Sequence, residues 1–195
     1  MPYYFPRGVT PGVVVNGDLH WCADHRAGEY YEAIISFDTT NEISTEVAKL
    51  EGPMVHPVDS DSDTVTYLDT NGDTYLVDDS DFNTNDVGVL GGCLCVLHKT
   101  HGISVDIWVM QQYGVKESWT KRFTITQKFI TKTSHLRVVC EFQDNEILFE
   151  TDEYLVYYDP KHNTAKKLRT RGAKMSCGAE KYVSTLASLG SGTYC

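Results

Sequence analysis

The chain has 195 residues, 41% of them hydrophobic, and a formal net charge of −10. A chain of that length buries roughly 70% of the surface its unfolded form exposes, so a packed core needs no covalent staples, and the hydrophobic share is ordinary for a globular protein. No apolar run approaches the ~20 residues of a membrane-spanning helix, and the start MPYYFPRGVTPG lacks the charged and apolar regions of a secretion signal.

The charge is unevenly spread. Between Asp59 and Asp86 lie nine Asp and no Glu, Lys or Arg, so the remainder sums to −10 + 9 = −1. A near-neutral body argues against a nucleic-acid backbone as the main partner. The segment 59–86 reads as a solvated insertion held apart by self-repulsion. A contact for a basic partner is the sharper alternative. Six cysteines could make three bridges, but the chain is too large and cysteine-poor to need them. Cytosol or nucleus is the expected compartment, and Cys195 is not in a prenylation context.

In chain order, GVVVNGDLHW predicts two short strands joined by a tight Asn16-Gly17 turn. AIISFD, then Thr-Thr-Asn-Glu, then ISTEVAKL continue the pattern. Within the acidic stretch, TVTYLDTNGDTYLV predicts a hairpin turning at Asn71-Gly72. Next come three β-type runs: Cys93 to Leu97, apolar on both faces, Val105 to Met110, and Trp119 to Ile125. In the last, alternation sets Trp119, Lys121, Phe123 and Ile125 on one face and Thr120, Arg122 and Thr124 on the other. VVCEFQDNEILFE, LVYYD, Pro-Lys-His-Asn-Thr and AKKL close the series. Glu180 to Leu189 fits a strand better than a helix, and residues 190–195 read as a tail.

These runs repeat. Residues 35–38 align with 107–110 and 156–159, preceded by Leu19, Leu94 and Leu148. The offsets are 94 − 19 = 75 and 148 − 94 = 54. A kelch-type propeller blade repeats at about 50 residues, and the surplus of the first offset falls where the acidic segment is inserted.

GVVVNGDLHW, AIISFD, GVLGGCLCV, DIWVMQQYGVKESWTKRFTI, EILFE, LVYYDPKHNTAKKL and YVSTLASL resemble successive motifs of the plant F-box-associated domain, from about Gly12 to Leu189. VNGDLHW and DIWVMQQYGVKESW are the most specific. The resemblance implies an all-β, partial β-propeller-like, kelch-related array of antiparallel blades. In that family an F-box docks on a Skp-type adaptor of an SCF ubiquitin ligase, and the associated domain holds the protein to be ubiquitinated. Pollen S-locus F-box proteins, which recognise ribonucleases, share the architecture. No F-box opening precedes Pro2, and the family's early GFGYD and YKVV strands are not found. The expectation is one domain over 1–195, truncated at its start, with 59–86 inserted. Adaptor and cullin then bind only if an F-box is supplied elsewhere.

Chemistry-bearing patterns are few. Cys93, Cys95, His98 and His101 have a zinc-like spacing. On one strand, however, the two thiols share a face about 6.6 Å apart, whereas tetrahedral zinc holds sulfurs within ~4 Å. They read as small buried hydrophobes. His20, Cys22 and His25 belong to a strand whose pattern Trp21 explains. Asp69, Asn71 and Gly72 resemble part of a calcium loop, but Gly72 at the sixth position puts Tyr67 first and Asp78 twelfth, and the turn reading wins. Asp38 and Asp159 recur after matching strands, as turn-starting residues do. No nucleophile elbow or phosphate loop occurs. No residue is assigned a catalytic, cofactor or metal role, and no cofactor is expected.

Trp108 and Trp119 read as core between blades. For partner contact the expectation falls on two loops, 111–118 and 59–86, since loops on a rigid scaffold commonly carry recognition. The sequence therefore reads as a non-enzymatic protein-binding module for a client it does not name. The alternatives are a decoy or non-functional fragment whose open sheet edges invite aggregation, and a propeller-type hydrolase or lectin.

Overall fold

A computed structural model describes residues 3–4, 11–25, 31–50, 64–68, 74–78, 83–100, 102–133, 135–168 and 179. The first sheet holds β1 (Tyr3–Tyr4), β2 (Val13–Val15), β3 (Asp18–His25), β4 (Tyr31–Asp38) and β5 (Ile43–Lys49). The separate hairpin β6 (Thr64–Leu68) and β7 (Thr74–Asp78) follows. A second sheet is made of β8 (Asn83–Leu90), β9 (Cys93–Thr100), β10 (Ser104–Met110) and β11 (Trp119–Ile125). A one-turn helix α1 (Lys128–Thr131) leads to the third, with β12 (Leu136–Glu141), β13 (Ile147–Thr151), β14 (Leu155–Asp159) and β15 (Thr164–Leu168). Each main sheet is an antiparallel meander of four successive strands, a blade. β1 and β2 share one edge of β3 in the first blade. The expected all-β, propeller-like array is what forms.

Turn chemistry fixes the registers. Asn16 (φ 54°) and Gly17 (φ 93°) join Val15 to Asp18, and Gly91 (φ 60°) and Gly92 (φ 78°) join Leu90 to Cys93. Two successive positive φ values define the turn whose twist matches a hairpin. The third blade instead donates Phe142 N–H to Glu146 O and closes on Asn145 at φ 62°.

The blades stack face to face. Ile34, Ala48 and Val15 of the first pack on Val87, Leu94, Val96 and Met110 of the second, with Trp108 and Trp119 against them. The other face of the second blade (Cys95, Leu97, Val105, Ile107, Val109, Ile125) meets Leu136, Val138, Phe149, Val156 and Tyr158 of the third. The first strands line up, β8 touching both β2 and β12. β9 is therefore apolar on both faces because both faces are covered. A small cluster of Ala23, Ala33 and Ile35 lies on the outer face of the first blade, with Tyr3 and Tyr31.

Two expectations need correction. Ile107 pairs with Phe123 but Trp108 with Lys121, so Arg122 is an extra residue in β11. A bulge resets the pleat. Phe123 and Ile125 face the third blade, while Trp119 packs toward the first, and the nominal single face is split. A matching bulge skips Val47 in β5. It equates Ile34 and Ile35 with Ile107 and Trp108. Ile35, Trp108 and Val156 all face the preceding side of their blades, so residues 107–110 align one position late. By the same parity the counterpart of Leu94 in the third blade is Ile147, not Leu148. The hairpin expected within the acidic stretch forms, with Leu68 opposite Thr74. Its tip, with Asn71 and Gly72, lies outside the described residues, as do 180–195.

Candidate protein-recognition face

In a meander, the turn between first and second strands and the turn between third and fourth emerge at the same end. Three contacts show that the blades share that end. Tyr113, after β10, donates its hydroxyl to His20 Nε2 at 2.8 Å. A Cβ at Gly91 would lie 3.7 Å from Glu141 Oε2. Arg122 bonds Glu141 Oε1 at 2.5 Å and Asn145 Oδ1 at 3.0 Å. The turn-bearing end thus runs continuously across all three blades.

Its third-to-fourth connections are of two kinds. In the first blade Asp38 Oδ1 accepts the N–H groups of Thr40 and Asn41 at 2.8 and 3.1 Å, and Glu42 closes the loop at φ 57°. In the third blade Asp159 Oδ1 accepts those of Lys161 and His162 at 2.9 and 3.3 Å, and Asn163 closes it at φ 49°. The recurring Asp is therefore the turn starter its position suggested. Hydrogen bonds from Asn41 and His162 respectively hold both carboxyls below the usual range.

The second blade has Gln111 at this place and a longer loop. Gln111 N–H donates to Ser118 O at 3.2 Å, and Ser118 Oγ accepts Gln112 N–H at 3.1 Å and donates to Val115 O at 2.6 Å. Gly114, at φ 76°, sends its N–H to Met110 Sδ at 3.1 Å. Internal bonds thus order the loop, and it leans on the first blade through Tyr113. The Tyr113 and His20 rings meet edge-on at 5.6 Å. His20 Nδ1 lies 3.0 Å from Asp18 O, which can only accept. Nδ1 therefore carries the proton and Nε2 takes the tyrosine hydroxyl. Burial lowers the His20 pKa, in keeping with a neutral ring.

Among the described residues, seven large apolar side chains are exposed, and five of them sit at this end: Val14, Ile43, Tyr113, Val115 and Phe142, between 39% and 60% exposed. Tyr4 and Ile103 sit at the other. Single exposed apolar residues are ordinary, whereas a concentration of them marks an interaction surface.

The opposite end is built differently. Glu32 accepts Asn85 Nδ2, and Asn85 Oδ1 lies 2.9 Å from His98 Nδ1. Asp24 stands across the ladder from Glu32. Burial, with the Asp24 charge in the same direction, pushes the Glu32 carboxyl up to about 7 against the Asn85 bond. Lys99 Nζ donates to Thr133 O. Arg137 bonds Glu150 Oε2 at 3.0 and 2.6 Å, and the pair holds both backbone groups of Ala179, whose N–H donates to Glu150 Oε1 at 3.0 Å. Sequence reasoning missed these groups. Asp24 and Glu32 face each other across β3 and β4, but nothing local links either to Asn85 or His98.

The zinc-like set does not converge. Cys93 and Cys95 face the third blade, and His98 faces the first and bonds Asn85. Burial pushes the Cys95 thiol up, away from the thiolate a metal needs. His101 lies outside the described residues, as do Asp69, Asn71 and Gly72. Of the two expected contact loops, 111–118 lies on the turn-bearing end. The segment 59–86 departs from the opposite one, between Leu50, whose N–H bonds Glu32 O at 2.9 Å, and Asn83, across the ladder from Thr100. Asp86 itself belongs to β8.

A stack of four-stranded antiparallel meanders defines a propeller-type scaffold. The profile of the F-box associated beta propeller domain matches residues 3–189, and the chain belongs to that family. F-box protein CPR1 of Arabidopsis thaliana is 28% identical over 179 residues, which is 90% of this chain and 38% of that protein. F-box protein At3g07870 of the same plant is 38% identical over 43% of this chain and 24% of its own length. The F-box/kelch-repeat protein At3g23880 is 28% identical over 62% of this chain and 28% of its own. The chain thus spans under two fifths of the length of these relatives. No helix among the described residues is long and apolar enough to cross a membrane.

Proposed function

We propose that this chain is the partner-recognition domain of an F-box-type substrate receptor: a single, non-catalytic β scaffold over 1–195, with an acidic insertion, that holds a protein client inside the cell. The concentration of exposed apolar side chains at the turn-bearing end carries the reading. Loops on a rigid scaffold are where recognition residues sit, and the long loop 111–118 breaks the pattern of its two neighbours. Ligation chemistry belongs to other subunits. A Skp-type adaptor and cullin join only through an F-box, on this protein or on a partner.

Affinity purification of the tagged chain from plant cells with the proteasome blocked tests this. A client recovered with the unaltered chain and lost with Tyr113→Ala/Val115→Ser supports the reading. Co-recovery of adaptor and cullin adds the ligase link. An eluate of chaperones alone would contradict it and point to an unstable fragment.

A further inference from the structure

The turn-bearing end carries an excess of negative charge. Its turns hold Asp18, Asp38, Glu42, Glu117, Asp144 and Asp159 against Lys116 and Lys161. These acidic groups are exposed or half-exposed, and they share that end with the five exposed apolar side chains. Hydrogen bonds to Asp38 and Asp159 hold those two carboxyls below their usual range. Two kinds of complementarity are therefore offered together. Exposed apolar groups take large side chains, and the negative charge beside them steers and orients a positive partner.

We propose that the turn-bearing end recognises a protein segment that is basic and carries an aromatic or large aliphatic side chain among its Lys and Arg residues. The inference rests on the reading of the chain as a binding module. Tyr113 and Val115 form the apolar anchor, since they project from the one third-to-fourth loop that departs from the short form. Tyr113 is held at its hydroxyl by His20, so its ring is ordered before a partner arrives, which lowers the entropic cost of binding. Glu42, Glu117 and Asp144 supply negative charge from each of the three blades in turn.

A phage-displayed library of random linear dodecapeptides, panned against the full chain, tests this. The expected winners are rich in Lys and Arg and contain Trp, Phe, Tyr or Leu. A synthetic copy of the leading peptide should bind less tightly as salt rises. Its affinity should fall about tenfold or more with Tyr113→Ala. It should fall with Glu117→Lys/Asp144→Lys, which touches only exposed side chains and leaves the loop's internal bonds in place, and it should not change with Ile103→Ser at the other end. Enrichment of neutral or acidic peptides, or binding lost with Ile103→Ser rather than with the turn-face variants, would overturn the inference while leaving the binding-module reading intact. No enrichment by a chain that unfolds cooperatively would overturn the inference in its linear-segment form. If that same chain also recovers no client from cells, the module reading goes with it.

Discussion

The two ends of the blade stack solve the same packing problem in opposite ways. At the turn-bearing end each loop satisfies its own polar groups, through Asp38, Asp159 or Ser118, and leaves apolar side chains to solvent. At the opposite end polar and charged groups are drawn inward and joined to one another, across blades in Glu32 with Asn85 and His98, and within the third blade in Arg137 with Glu150; Lys99 bonds Thr133, and the Arg137–Glu150 pair holds Ala179. A buried polar group without a partner is costly, so the second arrangement tolerates little change. Self-contained loops can vary without disturbing the blades beneath them. The difference teaches which end is free to carry recognition and which end holds the stack together.

The comparison predicts the largest loss at the opposite end. Arg137→Ala leaves the Glu150 carboxylate buried without its cation and releases Ala179. The expected destabilisation is about 3–5 kcal/mol, read as a lowered urea midpoint, and a change below about 1 kcal/mol would mean that the pair is not a staple.

Glu32 gives a second, pH-dependent contrast. Its carboxyl titrates at 4.5 when unperturbed and near 7 in the fold. Between those values the folded state holds a proton that the unfolded state has released. Its contribution is therefore fully present below pH 4.5 and lost as pH rises through about 7. His20 and His98, both lowered by burial, act in the opposite direction as pH falls below their usual value of 6.5. The Glu32 term is isolated by comparison with Glu32→Gln. The stability of the native chain relative to that variant should drop by on the order of 1–2 kcal/mol from pH 5 to pH 7.5. Parallel stability curves for the two proteins would remove the group from the account.

At the turn-bearing end the effects are smaller. Tyr113→Phe removes one hydrogen bond to a neutral buried imidazole and should cost about 0.5–1.5 kcal/mol. Faster proteolysis within 111–118 is the companion readout, and unchanged proteolysis would mean the His20 contact does not hold the loop. Smallest is Glu42→Gly. A non-glycine residue at φ 57° is strained. Relieving it should change stability by no more than about 1 kcal/mol in either direction, and a larger loss would show that the loop supports the blade.

Much of this fold was legible in the sequence because its turns announce themselves. Asn16-Gly17 fixes a two-residue hairpin, and the Asp at 38 and 159 marks two short loops. Blade faces were harder to read. Residues 107–110 are apolar throughout and buried on both sides, so alternation carries no parity there, and the repeat alignment slipped by one. The bulge at Arg122 flips Trp119 relative to Phe123 by inserting a residue that no local pattern marks. The longer loop at 111–118 was visible as a candidate. What sets it apart, Tyr113 resting on a histidine in another blade, depends on a contact across 93 residues of chain. The Glu32, Asn85 and His98 chain is equally non-local.

The most direct test is hydrogen–deuterium exchange on the purified chain with and without the client recovered from cells. Slowed exchange is predicted in 111–118 and 142–146, with 102–103 and 152–154 unchanged. Protection confined to the latter segments would place recognition at the opposite end and contradict the account.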